Sequence, residues 1–401
     1  MTTPLPASAA EGVARERDRA MRAGLVAGLA YVMVGWRALL VPSLIRLVAP
    51  SFGQGDAGMG TYYLVTALAY GLGALIGGPS IRRFGARVIL PAAALLMAVG
   101  LVIQGFTGAW LVFVLCGLVV SVGASSADVG IQALFLDLFP GSRGRALNLL
   151  HVAYAGGALL APVLLAGLVG LGVPWPWLMT GSGIAVGVAA AGMWLTVPVN
   201  PGAGIHAADD AAVAASVVRS RRLPLFLLVM AVSIVCYVAA ESGVSDWLVR
   251  YLAVLPIAQA GFALSLFWGG ILAGRLVFAR IGNRLDPQRS ASLLGVAGGL
   301  LLAVAIVVPV SGLTPFLFGA VGLAFGPIFP LMVAAAGARM PGESATVTGT
   351  LVFSAVIGAV AYPPAIGYLS EAIGLQAAMF GTALLAVGCG VAAWLARRVR
   401  T

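Results

Sequence analysis

Arg37, Asp128, His151, Glu241 and Arg275 interrupt long apolar stretches of the chain. A charged group at the middle of a bilayer costs on the order of 2.5–3.5 kcal/mol by insertion scales, so each needs a partner or a water-filled cavity. Carboxyl and imidazole groups in such places can take up and release protons. Ser121, Ser125, Asp128 and Gln132 recur at i, i+4, i+7 and i+11, which puts all four on one helical face. A polar stripe of that kind faces protein or water, so it is either a hydrogen-bonded seam or a cavity wall. Asn148 and His151 share a face in the next stretch. An unperturbed imidazole titrates near pH 6.5, which allows a proton relay; a neutral cross-helix hydrogen bond is the alternative. Glu241 follows Tyr237 and Ser233 by one and two turns, and could exchange a proton with an aqueous phase or pair with Arg250. Arg275 could gate or could reach back to the interface.

These residues must be held by membrane helices. A hydrocarbon core about 30 Å thick needs about 20 apolar residues. That ruler places twelve spans near 23–47, 58–78, 88–107, 109–138, 146–171, 175–197, 224–251, 258–279, 289–309, 313–338, 345–369 and 374–396. Of 401 residues, 61% are hydrophobic and 9% charged. Run length excludes barrel strands, which would alternate over about ten residues. The fold class expected is an all-α membrane protein.

All 23 cations are Arg, and nineteen fall at the N-terminus, in every second loop, or at the C-terminus. The opposite side has only Arg46 and Arg250. By the positive-inside rule both termini are cytoplasmic, in a multi-pass protein of the cell membrane. The charge is therefore spent on orientation and anionic lipid rather than on nucleic acid. Residues 1–22 read as a disordered cytoplasmic tail, not a cleaved signal peptide. Cys116, Cys236 and Cys389 make no disulfide or metal pattern. Without Lys there is no P-loop lysine and no Schiff base, and two scattered His, His151 and His206, make no ordinary zinc site. No enzyme, metal or cofactor is expected.

The longest connection, 198–223, divides the chain into two halves, 23–197 and 224–401. Gly77, Arg83, Gly85 and Arg87 recur as Gly274, Arg280, Gly282 and Arg284, while Pro140, Gly141, Gly157 and Pro162 recur as Pro341, Gly342, Gly358 and Pro363. A duplicated unit of six spans inserts both copies the same way, related by an axis along the membrane normal.

This plan resembles the major facilitator superfamily over the whole chain. The family's loop signature, roughly G-x-x-x-D-R-x-G-R-R, is met by Gly78, Arg83, Gly85 and Arg87, with Arg82 at the acidic position and Ala86 at an Arg position. Asp137 could supply the missing carboxylate to Arg83 or Arg87, or serve only as an interfacial charge. Three stretches are similar to the fucose/glucose–proton symporter branch: Asp128-x-x-x-Gln132, where the branch usually has Asn for Gln; Asn148 and His151 with Gly156, Gly157 and Pro162; and Glu241 with Trp247.

The resemblance implies two pseudo-symmetric six-helix bundles around a cavity lined by spans one and four, so that Asp128 is the expected counter-charge of Arg37. It implies a monomer carrying a small polar solute, a sugar, by alternating access in symport with protons through Asp128, Glu241, His151 and Arg37. Gln132, Asn148, Tyr237 and Ser125 would bind hydroxyls, with Trp36 and Trp268 against sugar C–H faces. Arg83, Arg87, Asp137, Arg275, Arg280 and Arg284 would gate. A proton-coupled exporter of drugs or metabolites is the alternative. Exporters of the superfamily carry G-x-x-x-G-P-x-x-G-G in span five, and here Gly157-x-x-x-Ala161-Pro162 lacks the closing glycines.

Overall fold

The computed structural model describes residues 7–198, 224–340 and 343–399. Among them are twelve helices long and apolar enough to cross a membrane, and no strands. They are α1 (Ala7–Ser51), α2 (Asp56–Phe84), α3 (Ala86–Phe106), α4 (Trp110–Leu138), α5 (Arg143–Gly170) and α6 (Trp175–Thr196), then α7 (Leu225–Tyr251), α8 (Ile257–Ile281), α9 (Pro287–Val307), α10 (Thr314–Arg339), α11 (Ser344–Ile373) and α12 (Leu375–Arg398). Helix α1 begins well before residue 23, because the Ala, Glu and Arg that precede the span are good helix formers. Of the expected linker 198–223, only residue 198 lies among the described residues.

Two six-helix bundles result. In the first, α1 packs on α5 and α6, α2 on α4, and α3 on α4 and α6; in the second, α7 packs on α11 and α12, α8 on α10, and α9 on α10 and α12. The repeated Gly157 and Gly358 show why. Gly157 lets α5 meet the α1 backbone at Val32 and Trp36, and Gly358 lets α11 meet α7 at Val235 and Ala239. Lipid offers no hydrophobic drive for helix association, so close backbone approach at small residues supplies the packing.

Helix α10 is broken where one continuous span was expected. Its two parts, Thr314–Phe325 and Ile328–Arg339, meet at Gly326 and Pro327. Pro330 has no N–H to give the Gly326 carbonyl. Arg275 on α8 fills that place, its Nε donating to Gly326 O at 3.2 Å. Gly85 turns the chain at φ +81°, whereas its repeat Gly282 is right-handed, inside the short turn Gly282–Arg284.

Candidate functional site

The bundles touch along two seams, α2 with α11 and α5 with α8, and more lightly between α1 and α7. Both seams are tight toward the arginine-poor face. In the first seam, Asp56 pairs with Arg250 Nε at 2.8 Å and accepts from Ser370 at 3.0 Å. The Ala57 N–H donates to Glu371 Oε1 at 2.9 Å, and the Thr61 and Tyr368 hydroxyls lie 2.8 Å apart. Gly60 sits directly against Pro364 O and Gly367, leaving no room for a side chain.

The second seam repeats this plan. Gly261 lies against Pro162 O. The Ser265 hydroxyl accepts from Val163 N–H at 3.0 Å and donates to Leu159 O at 2.7 Å, spanning a turn of α5. Arg46 crosses to Leu255 O at 2.8 Å. The two cations of the arginine-poor face thus both reach into the opposite half. The expected alternative of a Glu241–Arg250 pair is replaced by Asp56–Arg250.

Toward the arginine-rich face the halves part around a cavity of about 910 Å³. Asp128, Gln132, Asn148, His151, Tyr237, Glu241, Trp268 and Arg275 all line it, and it extends to Gly282 and Pro287 after α8. Asn148 and His151 are exposed. At its depth, Tyr31 OH and Gln132 Nε2 donate to Asp128 Oδ1 at 2.5 and 2.8 Å, and Tyr70 OH donates to Oδ2 at 2.5 Å. Asp128 is thus joined to three partners, two at Oδ1 and one at Oδ2. An aromatic bridge crosses between the halves at this level. Tyr154 of α5 lies 6.0 Å from Tyr31 of α1 and 6.1 Å from Trp268 of α8, centroid to centroid.

Several expected placements are corrected. Arg37 is not paired with Asp128; its guanidinium donates to Ser121, and it lines a space between the halves together with Asp246 of α7. Tyr31, nearly two turns earlier on α1, takes the carboxylate instead. Trp36 points away from the cavity, its Nε1 donating to Ser182 of α6 at 3.0 Å. Ser125 is fully buried and packs toward Gly73 of α2. The polar face of α4 therefore splits, with Asp128 and Gln132 in the cavity and Ser121 and Ser125 in packing. Arg275 does not reach back to the interface but lines the cavity. Arg83, Arg87, Arg280 and Arg284 are exposed, and Arg83 stacks over Phe84 at 5.2 Å rather than on α4. Asp137 is half-buried at the inner end of α4.

Sequence reasoning missed Tyr31, Tyr70, Tyr154 and Asp246. Tyr154 stands one turn after His151, and Asp246 lies five residues beyond Glu241, beside Trp247. That spacing was the available signal.

Comparison with known proteins decides the family. The Major Facilitator Superfamily model matches residues 24–318. This chain belongs to the major facilitator superfamily. It is 26% identical to an uncharacterised MFS-type transporter of Yersinia pestis, over 89% of this chain and 91% of that one. A TsgA homologue of Erwinia tasmaniensis is 25% identical over 48% of each chain, so this chain spans about half the length of that relative. A glucose/galactose transporter of Brucella abortus is 25% identical over 38% of each. In fold, the chain is similar to a bacterial homologue of the human lysosomal transporter Spinster, inward-facing and unoccupied, with TM-score 0.77, 14% identity, and 95% and 97% of the two chains covered. It is also similar to a point mutant of the nucleoside transporter NupG, with TM-score 0.76, 11% identity, and 96% and 100% covered.

Proposed function

We propose that this chain moves a small polar solute, a sugar, across the cell membrane by alternating access in symport with protons. Both termini lie on the cytoplasmic side, it works as a monomer, and it catalyses no reaction. One observation carries the reading: a cavity between two like halves, sealed at one face by cross-half contacts and open at the other, with Asp128 at its depth. In the proposed orientation this state is open inward.

Asp128 is the group best placed to exchange the coupling proton. A proton on either oxygen would turn an acceptor into a donor, so the hydrogen bond with Tyr31 or Tyr70 must reverse its direction or break. Tyr31 also packs at a tilt against Tyr154, hence proton uptake reaches the aromatic bridge between the halves. Glu241 faces the same cavity from the other half, beside Tyr237; the Tyr237 hydroxyl and Glu241 Oε1 are close but complete no hydrogen bond among the described residues. A sugar is favoured by Gln132, Asn148 and the Trp268 face in the cavity wall, and by the glucose/galactose transporter of Brucella among the relatives. Export of a drug or metabolite is the second reading, weakened by the missing glycines after Pro162.

Counterflow in proteoliposomes with a mixed sugar panel tests the solute. Replacing Asp128 by Asn should abolish accumulation driven by a proton gradient and leave counterflow in place. If Asp128→Asn and Glu241→Gln both still accumulate solute, coupling through these groups is wrong.

A further inference from the structure

Beyond the Asp128 cavity, toward the arginine-poor face, lies a second chamber of about 410 Å³. Tyr70, Tyr154, Glu241 and Trp268 line both spaces and so form the partition between them. Helix direction fixes its position. Arg37 follows Tyr31 along α1, Asp246 follows Glu241 along α7, and Tyr62 and Thr66 precede Tyr70 on α2, which runs the other way.

The chamber wall holds one cation, Arg37, and two carboxyls, Glu241 and Asp246. Arg37 has a single hydrogen bond among the described residues, to Ser121. Arg37 and Asp246 come from opposite halves and feel each other's charge, yet among the described residues no ion pair joins them. Three wall residues carry polar atoms without a hydrogen-bond partner among the described residues: Gln104 Oε1, Glu241 Oε1 and Trp268 Nε1.

A guanidinium with free donors needs acceptors, and a carboxylate needs donors. A hydroxyl supplies both from one atom and brings no net charge. A zwitterion would also span Arg37 and Asp246. The rest of the wall, with the Tyr62, Thr66 and Ser242 hydroxyls, the Gln104 amide and the indole of Trp268, matches uncharged hydroxyls better than fixed charges. The volume lies within the range of about 300–1,000 Å³ usual for small-molecule pockets.

We infer that this chamber is a second station for a neutral polyhydroxylated solute, held between Arg37 of α1 and Asp246 of α7 behind the Tyr70–Tyr154–Trp268 partition. The inference rests on the sugar reading above. A solute there bridges the two halves, which the Asp128 network, built wholly from the first half, does not do.

Titration calorimetry with D-glucose, D-galactose and the monodeoxyglucoses tests this on the full-length wild type, Asp246→Asn and Ala359→Phe. Ala359 lines the second chamber only, so the phenyl ring fills it without touching Asp128 or His151. Both variants should bind the preferred hexose about tenfold more weakly. One deoxyglucose should bind wild type poorly, and Asp246→Asn should no longer distinguish it from glucose, a pattern that loss of structure alone would not give. Wild-type affinity in both variants would overturn the second station and leave the sugar reading standing. Weaker binding by Asp246→Asn with deoxy-sugar discrimination intact would overturn the contact as well. A wild type that binds neither hexose would overturn the sugar reading, and the station with it.

Discussion

The two faces of the protein use arginine in opposite ways. At the arginine-poor face Arg46 and Arg250 both cross from one half to the other, to Leu255 O and to Asp56. At the arginine-rich face the described contacts stay within a half. Arg83 lies over Phe84, Arg398 over Trp394, and Arg339 over Phe226 while donating to Ala396 O and Arg397 O. Arg397 reaches Asp286 at 3.6 Å, also inside the second half. Many charges therefore set orientation at one face, and two charges join the halves at the other. Number of charges is no guide to which face is held shut.

This contrast can be broken experimentally, starting at the closed seam. Gly60→Val should have the largest effect, because a side chain there collides with α11 backbone and forces α2 away. In a background with Cys116, Cys236 and Cys389 replaced by Ser, a Cys at position 359 should label from the arginine-poor side at least about tenfold faster. Asp56→Ala should give less, at most about fivefold, since the Arg250 side chain is 40% exposed and such pairs are worth at most about 1 kcal/mol. Ser265→Ala should give about twofold, because the Val163 N–H can return to its own helical carbonyl once the hydroxyl is gone. Arg83→Ala should be smallest. Among the described residues it lies over the Phe84 ring, so labelling of a Cys at position 151 from the arginine-rich side should rise by no more than about twofold, through loss of a contact near Asp137 in the other state. Unchanged labelling and transport would mean that Arg83 serves topology alone.

The contrast also shows what the sequence could and could not carry. Twelve spans, the duplication and the arginine bias depend on composition and spacing, which a linear chain displays directly. Gly157 and Gly358, matched by their repeat, turned out to serve the same α1–α5 and α7–α11 contact. The Asp128–Gln132 spacing predicted a shared face, and a hydrogen bond joins them at 2.8 Å. Partner choice across helices was not legible. Spacing on α1 could not say whether Tyr31 or Arg37 would reach Asp128, since that depends on the rotation of α1 against α4. Trp36 was misassigned for the same reason, as depth alone does not give azimuth. Asp246 was passed over because it lies near the end of a span, where a carboxylate ordinarily meets water. The break in α10 had a signal, Gly326-Pro327 followed by Pro330, although its use by Arg275 needed the neighbouring helix.

The central claim is that the space between the halves opens to the two faces in turn, and that the Gly60 and Asp56 seam holds one of them shut. The direct measurement is labelling of two single-Cys proteins, position 359 from the arginine-poor side and position 151 from the arginine-rich side, each with and without Gly60→Val. Reciprocity is the predicted result: labelling at 359 rises and labelling at 151 falls by a similar factor. A rise at 359 with no fall at 151 would mean that both ends can be open together, and would contradict alternating access in this protein.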